Sequence, residues 1–259
     1  MKWMQTAEQS AEVIIKQLTP SLDEKEAESV VQPIIEAVRS QGDAAVRAYT
    51  QEFDGVDSAE FYAPQEARKE AAARLEKEDP ALYDAIQLSI RRGRAYHEKQ
   101  KATGWWMQDD GALLGQIVRP LKRVGVYIPG GTAAYPSTVI MNVIPAQVAG
   151  VKEIVIATPP AAEGRAHDIV MATAHCLGVE RIFLAGGAQA IAALAYGTES
   201  CPAVDKITGP GNRFVAAAKR LVYGQVDIDM IAGPSEILII ADGSASAGVV
   251  AADLLSQAE

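Results

Sequence analysis

The sequence has few residues of the kinds that build disulfide frameworks, metal centres or nucleic-acid surfaces. It contains two cysteines and three histidines in 259 residues, and two thiols in a chain of this length do not form a disulfide scaffold. We therefore expect reduced thiols and a cytoplasmic protein. The formal net charge of -9 argues against nucleic acid and anionic membranes as partners, since both need a concentrated positive surface.

Long hydrophobic runs are also missing. No stretch approaches the length of a membrane span, and the amino terminus has no apolar segment long enough for a signal peptide. Yet 49% of the residues are hydrophobic, which is enough to bury a sizeable core in a chain long enough for two domains. We expect a globular protein with no membrane-embedded part.

The common catalytic motifs are absent as well. The chain has no nucleophile elbow, no HExxH, no Walker loop and no G-x-G-x-x-G after a strand. No acidic residue stands in the usual place to hold an adenine ribose. Motif rules alone therefore give only weak support for dinucleotide binding, and they identify no acid or base for catalysis.

What the chain does contain is an alternation of short apolar β-prone runs with alanine-rich helical segments from Gly125 onward. This pattern is typical of a mostly parallel sheet with helices on both faces. We predict an α/β fold, with a Rossmann-like parallel sheet and a helical N-terminal segment. The predicted strands are GVYI, EIVIAT, RIFLA, DKIT and EILIIA, and the predicted helices cover residues 30–39, 44–50, 80–101, 139–149, 165–177, 188–196, 212–223 and 247–259.

Three loops lie between a predicted strand and a predicted helix: residues 129–137, Gly186 to Gln189, and residues 208–212. Glycine lets the backbone of such a loop approach a ligand at the carboxyl edge of the sheet, and free N–H groups at a helix start favour an anion such as pyrophosphate. Plain turns explain the same glycines equally well.

Several motifs in the chain are similar to those of the histidinol dehydrogenase family, in the family's order and spacing. They are VRSQGDAAVRAYTQEFDGV at 38–56, then GVYIPGG, YPSTVIMN, GGAQAIAALAYGTE, VDKITGPGN, IDMIAGPSE and DLLSQAE. The resemblance implies NAD-dependent oxidation of L-histidinol to L-histidine through histidinaldehyde, the last steps of histidine biosynthesis. It also implies a zinc-dependent homodimer with an aldehyde dehydrogenase-like arrangement of Rossmann-like domains.

The resemblance assigns roles to five residues. Tyr127, Gln189 and Asn212 match NAD contacts, Ser235 matches a substrate contact, and Gln257 matches a residue that ligates zinc and contacts substrate. Four of them have a simpler alternative from residue type alone, whereas the role of Gln257 derives only from the family pattern. Tyr127 is then a packed strand aromatic, Gln189 a helix-start residue that faces water, Asn212 a helix cap and Ser235 a turn cap.

The family pattern continues past SQAE with further zinc ligands and a catalytic Glu/His pair, which this sequence does not contain. The resemblance therefore implies no catalytic residue within the 259 residues, and we expect the isolated chain to be inactive. It also divides the chain into an N-terminal helical segment (1–20), the first part of a discontinuous α/β domain (21–124), an inserted Rossmann-like NAD-contact domain (125–240) and the start of the return into the first domain (241–259).

Two other functions remain open at this point. One is a homologous dehydrogenase of another small polar alcohol, such as a dihydroxypropane sulfonate, because a substrate without imidazole does not need the same zinc ligands. The other is a truncated, non-catalytic binding module, which would expose apolar surface.

Overall fold

A computed structural model describes residues 10, 12–13, 24–57, 60–130, 135–161, 164–231 and 237–255. Within them, the chain alternates helices and strands after an all-helical beginning. The elements are α1 (Glu24–Gln41), α2 (Asp43–Asp54), α3 (Gln65–Glu78), α4 (Pro80–Glu98), β1 (Trp105–Asp109), β2 (Ala112–Gln116), β3 (Arg123–Tyr127), α5 (Pro136–Val148), β4 (Glu153–Thr158), α6 (Asp168–Cys176), β5 (Arg181–Leu184), α7 (Gly187–Tyr196), β6 (Lys206–Thr208), α8 (Arg213–Val222), β7 (Asp227–Ile228) and α9 (Ala247–Leu255).

The centre of the molecule is a five-stranded sheet in the order β5-β4-β3-β6-β7, and every neighbouring pair is parallel. Within this sheet, β3 is the first strand in the sequence and lies in the middle. The strands β4 and β5 add to one side of it, and the chain then crosses back to place β6 on the other side. This is the strand order of a Rossmann-type sheet. The predicted α/β fold class is confirmed.

The strands are short and continuously apolar because helices cover both faces of the sheet. Val155, Ile182 and Ile207 are completely buried. On one face α7 and α8 pack against α1, while α2 packs against α7; on the other face α3 packs against α6 and α4 against α5. The charged N-terminal helices are therefore outer layers that bury their apolar stripes against the inner helices.

Residues 61–63 protect one edge of the sheet. The backbone of Leu184 donates a hydrogen bond to the carbonyl of Phe61 (2.8 Å), and Ala63 donates one to the carbonyl of Ile182 (3.0 Å). The ring of Phe61 also stacks on Phe183, with centroids 5.6 Å apart. This pairing satisfies backbone groups that an edge strand would otherwise leave open.

Most of the predicted elements are present, with ends that differ by a few residues, and the exception is EILIIA. Residues 237–241 form no strand, and Leu238 and Ile240 are 86% and 91% exposed. The pattern of the segment is typical of a strand, but none of the described residues pairs with it. The fifth strand of the sheet is instead β7, a two-residue strand that is too short to produce a pattern of its own.

Besides β7, one helix and one hairpin escaped prediction. Helix α3 has only a narrow apolar stripe around Ala71 and Ala72 in a highly charged segment. The hairpin β1–β2 turns at Asp110 and Gly111, both with positive φ. An Asp-Gly pair between apolar runs is a strong hairpin signal, so this element was available from the sequence.

No helix within the described residues is long and apolar enough to cross a membrane. Both cysteines, Cys176 and Cys201, carry free thiols. The division of the chain at residues 20, 124 and 240 stays a prediction.

Candidate functional site

The sheet reverses its direction of growth between β3 and β6, and a cavity of about 540 Å³ opens near the carboxyl ends of its strands. Ligands of open parallel sheets bind outside the carboxyl ends of the strands at such a reversal point. Segments that follow β3, β4, β5 and β6 all contribute to this cavity. Its wall consists of Val30, Val31, Ile34, Phe53, Asp54, Tyr127, Pro129, Gly130, Thr158, Pro159, Pro160, Ala161, His167, Val170, Gly187, Ala188, Gln189, Asn212 and Phe214.

Three of the five residues assigned by the resemblance meet at this cavity. Tyr127 is the last residue of β3, Gln189 lies in the first turn of α7, and Asn212 directly precedes α8. They are far apart in sequence, and the parallel sheet brings them together because its strands all end at the same edge. Their roles as NAD contacts stay predictions.

The Tyr127 side chain forms part of both the core and the cavity. It is 3% exposed, and its hydroxyl accepts a hydrogen bond from the backbone N–H of Gly187 at 3.0 Å. Burial, together with a smaller effect of the nearby Asp54 carboxylate, raises the pKa of Tyr127 to about 12. The phenol therefore stays protonated at neutral pH, and its hydrogen remains available for donation to a ligand.

Gln189 is the one residue of this group that the fold alone does not explain. Its side chain is 1% exposed, and its Oε1 atom is buried without a hydrogen-bond partner. The alternative that it faces water is therefore wrong. A buried amide oxygen without a partner costs about 1–3 kcal/mol, so Gln189 is a point in the cavity wall where the chain leaves an acceptor unsatisfied.

The side-chain oxygen of Asn212 is fully explained by its role as a helix cap. Oδ1 accepts hydrogen bonds from the backbone N–H groups of Phe214 (3.0 Å) and Val215 (3.1 Å). The capping interpretation is thus confirmed. The cap uses only the oxygen, so the Nδ2 hydrogens of the same amide remain donors for a ligand in the cavity.

The loop that carries Asn212 is held by an ion pair whose lysine is buried. Lys219, which is 2% exposed, pairs with Asp229 and also donates to the carbonyl of Gly209 at 3.0 Å. Asp229 in turn accepts from the backbone N–H of Gly209 at 2.8 Å. The ion pair therefore fixes both the donor and the acceptor of Gly209 and sets the path of the loop.

Asp54 belongs to the cavity but was missed by the sequence analysis. It is the last residue of α2, and its Oδ2 atom is buried without a partner. Burial raises its pKa from the ordinary 3.8 to about 6. The signal in the sequence was weak, because an acidic residue at a helix end is common and because α2 lies far from the sheet in sequence.

Ser235 and Gln257 lie outside the described residues. The zinc implied by the resemblance therefore finds no ligand set here, since the part of the chain that the structure describes contains no group of three His, Cys, Asp or Glu side chains that could hold a metal ion. The described residues do not fit a zinc site, and we derive no step through one.

Fold and cavity together define an α/β protein with a Rossmann-type sheet and a ligand cavity at the point where the strand order reverses. Comparison with known proteins makes this more specific. The sequence profile of the histidinol dehydrogenase family matches residues 18–259. The chain belongs to the histidinol dehydrogenase family, and the resemblance seen in its motifs is confirmed.

Individual relatives agree with this assignment. Histidinol dehydrogenase from Bacillus licheniformis is 57% identical over 236 residues, which cover 91% of this chain and 55% of that protein. The enzyme from Syntrophotalea carbinolica is 56% identical over 235 residues, or 90% of this chain and 54% of its own length.

A solved structure extends the agreement to the fold. The crystal structure of histidinol dehydrogenase from Elizabethkingia anophelis matches with a TM-score of 0.81 and 37% identity, over 93% of this chain and 58% of that chain. The chain thus spans about half the length of the relatives that it matches.

Proposed function

We propose that this chain is the NAD-binding part of an enzyme that oxidises L-histidinol to L-histidine through histidinaldehyde. The observation that carries the proposal is the buried, unpartnered Oε1 of Gln189 in a cavity at the carboxyl edge of a Rossmann-type sheet. Membership of the histidinol dehydrogenase family supports the substrate.

NAD fits the cavity in size and in chemistry. A volume of about 540 Å³ lies within the roughly 300–1,000 Å³ range of ligand sites. The Gln189 oxygen accepts a hydrogen bond from the cofactor, while the Asn212 Nδ2 and the Tyr127 hydroxyl donate to it. Two helix starts, those of α7 and α8, add backbone N–H groups that favour its phosphates.

NAD bound in this cavity would supply the acceptor for the hydride that leaves the carbinol carbon of the substrate. The residues of this chain act by binding and orientation. The apolar wall formed by Phe214, Pro159 and Pro160 excludes water around the cofactor, and the amides at 189 and 212 fix its position on the sheet edge. Fixing the cofactor in one orientation reduces the entropic part of the barrier.

We further propose that the 259-residue chain alone does not catalyse the oxidation of histidinol. The resemblance places the catalytic Glu/His pair outside this sequence, and Gln257 by itself cannot hold a zinc ion. The zinc dependence, the homodimer and the cytoplasmic location are likewise proposals that derive from the resemblance.

Two measurements on the isolated chain test the proposal. Calorimetric titration with NAD should give saturable binding, and the variant Gln189→Met should weaken it by about tenfold, since one hydrogen bond is lost. Absorbance of NADH after addition of histidinol should not rise. A wild-type chain that binds no NAD at millimolar concentration would contradict the cofactor assignment, and NADH formation would contradict the predicted inactivity.

The chain offers a matched control for the titration. Gln147 is a glutamine of another helix that does not line the cavity; its side chain bonds to Arg94 and to the carbonyl of Leu177. Gln147→Met should reduce stability, because it leaves these partners without a bond, and it should leave the affinity for NAD unchanged. Equal loss of NAD binding in both variants would place the cofactor elsewhere.

A further inference from the structure

One face of the parallel sheet is only partly covered by helices. The hydrophobic core on the side of α3 to α6 contains residues of β3, β4 and β5, and none of β6 or β7 among the described residues. Side chains alternate along a strand, so Lys206 and Thr208 lie on this side of β6, while Ile207 packs into the core of the other side. Parallel sheets normally have both faces covered, so the space over β6 is open.

A second cavity, of about 610 Å³, occupies this open space. It lies between helix α5 and the segments that lead into and out of the hairpin β1–β2, and its volume is within the roughly 300–1,000 Å³ range of ligand sites. Most of its wall is apolar and accessible. Val118, Leu121 and Met141 line it and are 45%, 41% and 57% exposed. A ligand with an apolar body that covers this surface gains free energy from its burial.

The second cavity carries positive charge. Lys101, Arg119 and Lys206 line it, and Asp229 is the one acid in its described wall. The charge of Asp229 is offset by its pair with Lys219. The cavity therefore has more positive than negative charge available to a ligand.

Two of the three cations have no partner. Lys206 pairs with Asp227 at 2.7 Å. Lys101 and Arg119 are exposed, and neither side chain has an ion pair or hydrogen bond to a described residue. Lys101 precedes the hairpin and Arg119 follows it, so the hairpin brings the two charges to the same cavity. Both charges are accessible to a ligand that enters from solvent.

We propose that the second cavity binds a small organic anion, a carboxylate or sulfonate whose charge pairs with Lys101 and Arg119 and whose aromatic or branched aliphatic body covers the apolar wall along α5. This site is separate from the cavity at the carboxyl edge, so it does not depend on the proposed function. Guanidinium and ammonium groups form charge-assisted hydrogen bonds with such anions. The formal net charge of -9 disfavours anions over the surface as a whole, which makes a locally positive cavity selective.

The experiment is a fluorescence titration of the 259-residue chain with anilinonaphthalene sulfonate as the reporter. Binding should be saturable, and phenylpropionate should displace the reporter. Phenylpropanol has the same apolar body without the charge, and it should displace the reporter at least tenfold less effectively. The double variant Lys101→Gln/Arg119→Gln should bind the reporter about tenfold more weakly, because it loses both charged donors.

The chain offers a control matched in charge. Arg92 and Lys99 are exposed cations in and directly after α4 that do not line the second cavity, so Arg92→Gln/Lys99→Gln should leave the affinity unchanged. Ala146 does line the cavity. Ala146→Trp keeps both cations but places a large ring in the space, and should abolish binding of the reporter.

The outcomes decide the proposal. Equal affinity of the wild type and Lys101→Gln/Arg119→Gln overturns it, and so does equal displacement by the acid and the alcohol. A reporter that binds to the exposed Trp105 and Trp106 of the hairpin gives the first of these results. The charge variant tests the proposal even if Ala146→Trp does not fold, because the side chains that it replaces are exposed and have no described partner to lose.

Discussion

The two strand-to-helix loops that deliver amides to the cavity differ in whether the chain satisfies the oxygen of the amide. The loop after β6, residues 208–212, is tied down by the Lys219–Asp229 pair, and the Asn212 oxygen caps α8. The loop after β5, residues 185–187, is held by the Tyr127 hydroxyl, and the Gln189 oxygen that follows it has no partner.

This difference separates structural residues from ligand-binding ones. Where every polar atom has a partner within the chain, a residue type is explained by the fold, and its substitution should reduce stability. Where a buried acceptor has none, the residue type is explained by something outside the chain, and its substitution should affect binding and not stability. The predictions below test this distinction.

The largest expected effect is at Gly209, in the loop whose path the Lys219–Asp229 pair sets. Its φ is +111°, and a Cβ there would overlap the carbonyl oxygen of Tyr127, a backbone atom that cannot move aside. Gly209→Ala should reduce the free energy of unfolding by about 4 kcal/mol, from conformational strain together with overpacking. Urea denaturation measures this reduction in the free energy of unfolding.

Gly224 is the control for this substitution. Its φ of +99° is equally unsuitable for alanine, but no atom lies within 4 Å of the added Cβ. Gly224→Ala should therefore cost only the backbone strain, about 2 kcal/mol. Equal losses in the two variants would show that the contact with β3 does not constrain the loop.

The next effect concerns the ion pair that fixes the loop. Lys219→Met leaves the Asp229 charge and the Gly209 carbonyl without their partner, and should reduce the free energy of unfolding by about 3 kcal/mol. Lys206→Met removes a comparable but more exposed pair with Asp227 and should cost less than about 1 kcal/mol. Denaturation of the two variants under the same conditions compares them, and a ranking in the opposite order would contradict the role of the ion pair.

At Asn212 the cap and the ligand contact can be separated. Asn212→Ala should lose about 1 kcal/mol of stability, because α8 loses its N-cap. Asn212→Asp keeps the capping oxygen and should retain the stability, yet it removes the Nδ2 donor and should weaken NAD binding. A denaturation curve and an NAD titration of each variant test both parts; an aspartate variant with wild-type affinity would leave Asn212 with a structural role only.

The last effect on stability is expected at Asp54, and it depends on pH. The pKa of Asp54 is raised to about 6 in the folded chain from an ordinary 3.8, so ionisation opposes folding. The penalty is absent below pH 4, grows between pH 4 and 6, and is fully present above that. Asp54→Asn should therefore gain stability relative to the wild type as the pH rises from 4 to 8.

Thermal melts across this pH range measure the difference between the two chains. The change is modest because Asp54 is only half-buried. A difference in stability that does not vary with pH would show that the carboxyl titrates normally and has a partner in solution.

The fold was predictable from the sequence to the extent that local patterns specify it. The apolar strand EIVIAT and the capped start of α4, where Asp79 accepts from the backbone N–H of Leu82 at 3.0 Å, follow from short-range rules. The pairing partner of a strand does not follow from short-range rules. EILIIA has a strand pattern but no partner among the described residues, and β7 has a partner but hardly any pattern.

The same limit applies to the site. Tyr127, Gln189 and Asn212 were found through the resemblance, and the structure adds that all three reach one cavity. Asp54 was not found by the sequence analysis. It is notable because its Oδ2 atom is buried without a partner and because helix α2 brings it to a cavity whose other walls lie far away in sequence. That property depends on tertiary packing and has no local signature.

The most direct test of the account is a crystal structure of the 259-residue chain grown or soaked with NAD. We expect the dinucleotide at the carboxyl edge of β3 and β6, with a donor roughly 2.7–3.2 Å from the Gln189 Oε1 atom. NAD bound at another surface, or bound in this cavity with the Gln189 oxygen still unpartnered, would contradict the claim that this atom is reserved for the cofactor.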